Sequence, residues 1–200
     1  MTVLQTNWER EQVRRRQFYE EMMPEQKIEF IDGEVILHSP AKSRHLDVTK
    51  FLLKLIDTHV ELHPLGTVNV EKCLIVFSRN DYEPDLVFFG KEKEALIDEE
   101  TMKFPVPDFV VEVHSPSTEK RDRGVKYEDY ESQGVQEYWI VDAEAAVVEQ
   151  YVLGSKGRFE LKLKAGSGVL SSPVLPGFSV AVEALFERDK NLVALRKRVA

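Results

Sequence analysis

The chain has 200 residues, 42% hydrophobic and 31% charged, which is enough for one sizeable core and gives no reason to invoke two. A formal net charge of −8 argues against a protein that binds nucleic acid over its whole surface, while leaving room for a local basic patch. The single cysteine, Cys73, excludes an intramolecular disulfide and a cysteine-based zinc site; residues 1–17 hold no apolar signal-peptide core, and no apolar run approaches the ~18 residues of a membrane span, so a reducing cytoplasm and no membrane contact are expected.

In chain order, residues 8–22 are charged and include Arg14-Arg15-Arg16; they predict a helical lead-in whose arginine run is solvated. Lys27–Ile31, Asp32-Gly33 and Glu34–His38 predict a β-hairpin, because Asp-Gly tolerates the positive φ that a type I′ turn needs at both central positions. Ser39-Pro40 ends it. Residues 41–62 have helical spacing, with Leu46, Thr49, Leu53, Ile56 and Val60 on one face, Leu52 and Leu55 widening it, and His45 near the start. Pro64 and Gly66 close that helix. Thr67–Ser78 predicts a long strand or a strand pair, 79–81 a turn, and Tyr82–Phe89 a strand entered through Pro84. Residues 90–103 read as a charged loop with a short helix, and 104–107 lead into a buried strand.

That strand, Phe109–His114, alternates Phe109, Val111 and Val113 on one face with Val110, Glu112 and His114 on the other. Ser117 or Thr118 can then cap a helix over 119–132 that stops at Gly134. Gly124 inside it costs ~1 kcal/mol against alanine, so something other than helix propensity keeps it. Residues 135–142 predict a strand, 146–153 and 159–164 a second hairpin, 166–177 a turn-rich stretch, and 182–186 and 191–199 short terminal helices. The order describes a mixed α/β domain with a β-rich centre.

A carboxylate in an apolar β-branched run is costly to bury alone, so Glu112 needs a partner. Asp85 starts the preceding strand, and if the two strands pair, the two acids meet at one end of the sheet. Two close carboxylates in a dry site call for a cation, and oxygen donors select Mg²⁺ or Mn²⁺. On the following helix Asp122, Lys126 and Tyr130 are spaced by four, and Lys120, Arg121, Arg123 and Lys126 make its first half basic. Each residue has a plainer reading: Asp85 as a turn or cap residue, Glu112 as a core carboxylate satisfied by backbone N–H groups or a salt bridge, His45 as a structural histidine, Lys126 paired with Asp122 on a solvated face. The combination is more specific than its members.

Several runs carry a resemblance: Glu29-Phe30-Ile31-Asp32-Gly33-Glu34, His45, Glu83-Pro84-Asp85-Leu86, Pro107–Val113, Ser115-Pro116-Ser117-Thr118, Asp122, Lys126 and Tyr130, Gly134–Asp142 and Leu175-Pro176-Gly177-Phe178. Over about residues 25–187 the chain resembles the PD-(D/E)xK nuclease superfamily, and more closely its Uma-type branch of putative restriction endonucleases. The resemblance implies a restriction-endonuclease-like α/β core, a central mixed β-sheet flanked by helices with additional β-hairpins. It frames residues 1–24 as a helical lead-in, 25–187 as the nuclease-like domain and 188–200 as a C-terminal helix. It further implies that Asp85 and Glu112 bind magnesium (Mg²⁺, or Mn²⁺) with the Val113 carbonyl as an added ligand. The superfamily lysine is replaced by His114 in the strand; Lys126 is the matching position in this branch, with Lys120 and His114 as competitors. His45, Glu29, His114, Asp122 and Tyr130 would support the site or position substrate, and Lys120, Arg121 and Arg123 would form a basic patch for the DNA backbone.

The expected function is therefore metal-dependent endonucleolytic hydrolysis of DNA phosphodiester bonds by a cytoplasmic homodimer. The alternatives are a catalytically silent nuclease fold that binds nucleic acid or protein, and a hydrolase acting on another substrate. No separate reader module is visible, so the sequence offers no handle on DNA specificity.

Overall fold

The computed structural model describes residues 3–23 and 26–200. In chain order its elements are α1 (Val3–Glu21), β1 (Ile28–Ile31), β2 (Glu34–Leu37), α2 (Ser43–Leu62), β3 (Gly66–Val70), β4 (Leu74–Val76), β5 (Asp81–Tyr82), β6 (Leu86–Gly90), α3 (Lys91–Glu94), β7 (Lys103–Phe104) and β8 (Phe109–His114). They continue with α4 (Glu119–Asp122), α5 (Val125–Ser132), β9 (Glu137–Asp142), β10 (Val147–Leu153), β11 (Phe159–Ala165), β12 (Val169–Ser171), β13 (Ser179–Ala181), a 3₁₀ turn (Val182–Leu185) and α6 (Arg188–Val199). A six-stranded sheet runs β11-β10-β9-β8-β6-β3, a five-stranded sheet β2-β1-β5-β4-β7, and β12-β13 form a small ribbon. The sheets are mixed: β8 and β9 are parallel, as are β4 and β7, and the other pairs are antiparallel.

The alternation in β8 divides the core. Phe109, Val111 and Val113 pack with Val48, Leu52, Leu55 and Ile56 of α2 and with Trp139 of β9. Val110 faces the other way, onto Val87, Phe89, Tyr130 and Tyr138, and onto Ile31, Ile75 and Tyr82 of the second sheet. The second sheet in turn covers Ile28, Phe30 and Leu74 with Phe18 of α1. The face of β8 that carries Glu112 is thus enclosed between the two sheets and α5.

The hairpin forms where Asp-Gly predicts it: Asp32 and Gly33 have φ of 50° and 82°, and Ile31 pairs with Glu34. The other expectations need correction in particular places. Arg15 is buried, not solvated. Its Nε donates to Asp81 Oδ2 at 2.8 Å, a second guanidinium nitrogen also meets Asp81, and the Phe77 and Ser78 carbonyls accept at 2.6 and 3.0 Å. This ion pair fastens α1 to the body, as Asn191 fastens α6 through the carbonyls of Phe51 and Ala184. Leu46 is 50% exposed, because the buried stripe of α2 is centred on Val48, Leu52, Leu55 and His59 and Leu46 lies about half a turn away from it.

The strand expected over 82–89 is two strands in two sheets. Pro84 has no N–H to donate to a ladder, and the chain crosses from β5 to β6 at Glu83-Pro84-Asp85. The stretch from 67 to 78 likewise divides between sheets, crossing at Glu71 and Lys72, whose φ angles are 53° and 26°. The helix expected over 119–132 is broken into α4 and α5 at Gly124. A Cβ there would lie 2.6 Å from the Lys120 carbonyl oxygen, so close backbone approach explains the glycine. The turn-rich stretch holds β12, and the 182–186 segment is a single 3₁₀ turn. No helix among the described residues is long and apolar enough to cross a membrane.

Candidate active site

Both chain crossings lie at one end of the six-stranded sheet. β6 pairs antiparallel with β8, Leu86 opposite Val111, which sets Asp85 just beyond the ladder. There Asp85 Oδ2 accepts the Val113 N–H at 2.8 Å. The N–H and C=O of one strand residue point to the same side, so the Val113 carbonyl faces the same end. The other Asp85 oxygen, Oδ1, meets Lys27 Nζ at 2.7 Å and His45 Nε2 at 3.4 Å. Lys27 also reaches Glu71 Oε2 at 3.2 Å.

Glu112 has a different set of partners. Its Oε1 accepts from Lys126 Nζ at 2.9 Å and from the Tyr130 hydroxyl at 2.8 Å. Lys126 is shared with Glu29 Oε1 at 2.7 Å and lies 3.8 Å from Asp122 Oδ1. Glu29 is held from behind by His38 Nε2 at 2.9 Å and by the Glu83 N–H at 3.1 Å. The break at Gly124 lets Asp122 end one helical piece and Lys126 begin the next with both side chains buried.

These groups do not share charge equally. Burial pushes Glu112 up to about 8; Lys126 opposes that shift, and Asp122, Asp85 and Glu29 add to it. Glu29 also feels burial, yet Lys126 and His38 hold it down at about 2. Asp122 is raised, chiefly by burial. Asp85 is lowered in spite of burial, because His45 and Lys27 favour its anion. Burial works against the Lys126 ammonium, but Glu112, Glu29 and Asp122 keep its pKa above the ordinary lysine value. One ammonium thus faces three carboxylates and neutralises Glu29 best.

Among the described residues, the acids and histidine that come close enough at this end to share one ion are His45, Glu71 and Asp85, and Glu112 is not in that group. Ligand atoms of His45, Glu71 and Asp85 all lie within 4.8 Å of one another, a spacing that bonds of about 2.0–2.6 Å to one ion can span. Asp122 Oδ1 is buried without a hydrogen-bond partner, a sign of unbalanced negative charge in the cluster.

The structure therefore brings together Asp85, Glu112, Val113, Lys126, Glu29, His45, Asp122 and Tyr130. It does not join His114 to them through any described contact: both ring nitrogens are buried without hydrogen-bond partners, and Asp142 Oδ2 lies 3.6 Å away. Of the basic patch, Arg123 is engaged in a two-pronged pair with Glu149 at 2.6 and 2.9 Å and touches Glu119 at 3.2 Å, whereas Lys120 is exposed and Arg121 half-buried. The reading from residues missed Lys27, Glu71, His38 and Glu83. The hairpin places Lys27 and His38 opposite each other, a signal available in its register, with the His38 N–H donating to the Lys27 carbonyl at 3.0 Å. Glu71 is placed by left-handed backbone at two residues that are not glycine, which no sequence pattern marks.

A sequence model of a family described as "Uma2: Putative restriction endonuclease" matches residues 10–183. The match begins inside α1, earlier than the resemblance placed it. The crystal structure of a putative nuclease from Anabaena variabilis ATCC 29413 superposes with a TM-score of 0.68 at 18% identity, covering 80% of this chain and 89% of that one. At that identity the likeness is one of fold. No curated protein matches the chain.

Proposed function

The chain belongs to the Uma2 family, and from that premise we propose that it is a metal-dependent endonuclease hydrolysing DNA phosphodiester bonds, with Asp85, Glu112 and Lys126 as its catalytic residues. The observation that carries the reading is the Lys126 ammonium, buried between Glu29 and Glu112 one strand from Asp85. Asp85, Glu112 and the Val113 carbonyl would hold Mg²⁺ or Mn²⁺, with Glu71 and His45 in reach of the same Asp85 oxygen. The bound ion supplies Lewis-acid chemistry, polarising a phosphate and lowering the pKa of a water.

The chain's own residues account for the rest. An ammonium has three N–H donors; Glu29 and Glu112 accept two, which leaves one for a phosphate oxygen or the attacking water. Tyr130 and Glu29 fix the Glu112–Lys126 pair in place, and electrostatic groups held in advance act without reorganisation. Lys120 and Arg121, which have no acidic partner among the described residues, are placed to meet the DNA backbone, and such contacts position substrate without reading its sequence. His114 lies beside Asp142 at the carboxyl ends of β8 and β9 and is assigned to substrate positioning, not to the lysine role. The full set of Asp85, Glu112 and Lys126 weighs against a silent binding module.

Supercoiled plasmid is expected to be nicked and then linearised with Mg²⁺ or Mn²⁺ and to stay intact with a chelator. No conversion with either ion rejects the reading. A cytoplasmic homodimer is part of the same proposal. Cys73 is buried and free. β2 is the outer strand of its sheet, with Val35 and Leu37 53% and 63% exposed, and an open edge of this kind is a template for pairing. Light scattering is expected to give about twice the 23.1 kDa of one chain; a species of one chain alone rejects the dimer.

A further inference from the structure

We propose that Lys27 is the resident counter-cation of the ion site: its ammonium holds Asp85 and Glu71 together in the metal-free chain, and it must leave before a divalent ion can bind there. The inference rests on the ion-site reading above and adds a residue that sets the ion's affinity.

The geometry supports it at each atom. Asp85 Oδ2 is committed to the Val113 N–H, so Oδ1 is the oxygen left to bind a cation. Lys27 Nζ sits on that oxygen at 2.7 Å and reaches Glu71 Oε2 at 3.2 Å. Two of the three groups whose donor atoms cluster within 4.8 Å are thus bridged by one ammonium. An ion bound to the same two carboxylates would lie at contact distance from a like charge, which is unfavourable in a poorly hydrated site.

The two lysines of the site differ in how they are held. The Lys126 side chain is 4% exposed and is enclosed by Glu29, Glu112 and Asp122. The Lys27 side chain is 19% exposed and precedes β1, so its flexible stem has a path to water. One ammonium is fixed and the other displaceable. Without Lys27, the metal-free chain would bury Asp85 with His45 as its one cationic partner among the described residues. With it, the fold is complete before the ion arrives, and ion affinity is held down.

The test is calorimetric titration of wild type, Lys27→Met and Lys27→Gln with Mn²⁺, alongside thermal melts in chelator and in Mn²⁺. Both variants are expected to bind Mn²⁺ about tenfold tighter or more than wild type, since removing one nearby repulsive charge is worth at least that factor. Both are expected to melt lower in chelator and to recover more than wild type on adding Mn²⁺. Glutamine keeps a hydrogen bond to the acids without the charge, which guards against a methionine variant that fails to fold. Equal or weaker Mn²⁺ binding by folded variants overturns the proposal and leaves Lys27 a structural ion pair. Absence of Mn²⁺ binding in all three proteins overturns the ion site itself.

Discussion

Replacing Lys126 with methionine is expected to slow plasmid cleavage by at least about 10²–10³-fold, the usual cost of removing one well-placed electrostatic group, and to destabilise the metal-free fold by about 3–5 kcal/mol, the usual cost of stripping one partner from a buried ion pair. Both effects have one cause. The ammonium lies 2.7 Å from Glu29 and 2.9 Å from Glu112, and both acids are buried. Removing it leaves Glu29 with His38 and the Glu83 N–H, and Glu112 with Tyr130 alone. Lys126→Arg is not expected to restore either property, because a compact ammonium sits 2.7 Å from Glu29, 2.9 Å from Glu112 and 5.4 Å from the Tyr82 ring centroid, and a bulkier planar guanidinium cannot take that buried position without displacing those groups. Urea unfolding followed by the fluorescence of buried Trp139 measures the stability, and initial nicking rates measure the activity. A methionine variant with wild-type values of both would remove Lys126 from the site.

The second large effect is a pH dependence of the metal-free chain. Glu112 has a folded pKa of about 8 against an ordinary value of 4.5. A carboxyl whose pKa rises on folding contributes stability that is fully present below about 4.5 and is lost as pH climbs through about 8. Raised Asp122 acts in the same direction. Glu29, held at about 2, acts in the opposite sense, but its contribution is lost only as pH falls below its ordinary value of 4.5. The windows do not overlap. Glu83, whose carboxyl burial pushes up to about 7, and His45, which Asp85 raises in spite of burial, act in the same direction as Glu112 within this range. Between about pH 5 and pH 8 the wild type is therefore expected to lose stability in chelator and Glu112→Gln to lose less, keeping the share of Glu83, His45 and Asp122. Urea midpoints across that range decide it; parallel curves for the two proteins would show that Glu112 is ionised throughout. In the proposed site the ion is held by the Glu112 anion, so Mn²⁺ affinity is expected to rise over the same range.

The local parts of this molecule were legible in its sequence. Asp32-Gly33 announced a hairpin because only a few residue pairs accept its turn. The alternation of 109–114 announced a strand with Glu112 on a face that needed a partner. That Glu112 needs a partner was legible too; the sequence pointed to Asp85 and a divalent ion, whereas in the fold the direct partners of Glu112 are the Lys126 ammonium and the Tyr130 hydroxyl, and Asp85 takes up Lys27 and His45. What escaped the sequence depends on distant chain. The partner of Arg15 is Asp81, 66 residues away, and no local pattern distinguishes Arg15 from its solvated neighbours. Pro84 signalled a break, but which sheet each half joins is decided by packing. Glu71 faces Asp85 through a left-handed backbone that its own side chain disfavours. Gly124 was flagged by its cost; the contact that keeps it is the Lys120 carbonyl.

The central claim is that Asp85, Glu112 and Lys126 carry metal-dependent hydrolysis of DNA. Its most direct test is the initial rate of supercoiled-plasmid nicking in Mn²⁺ by wild type, Asp85→Asn, Glu112→Gln and Lys126→Met, each shown by circular dichroism to be folded. The account predicts cleavage by wild type that a chelator abolishes, and rates near background for all three variants. Equal cleavage by all four proteins, or none by wild type, would contradict it.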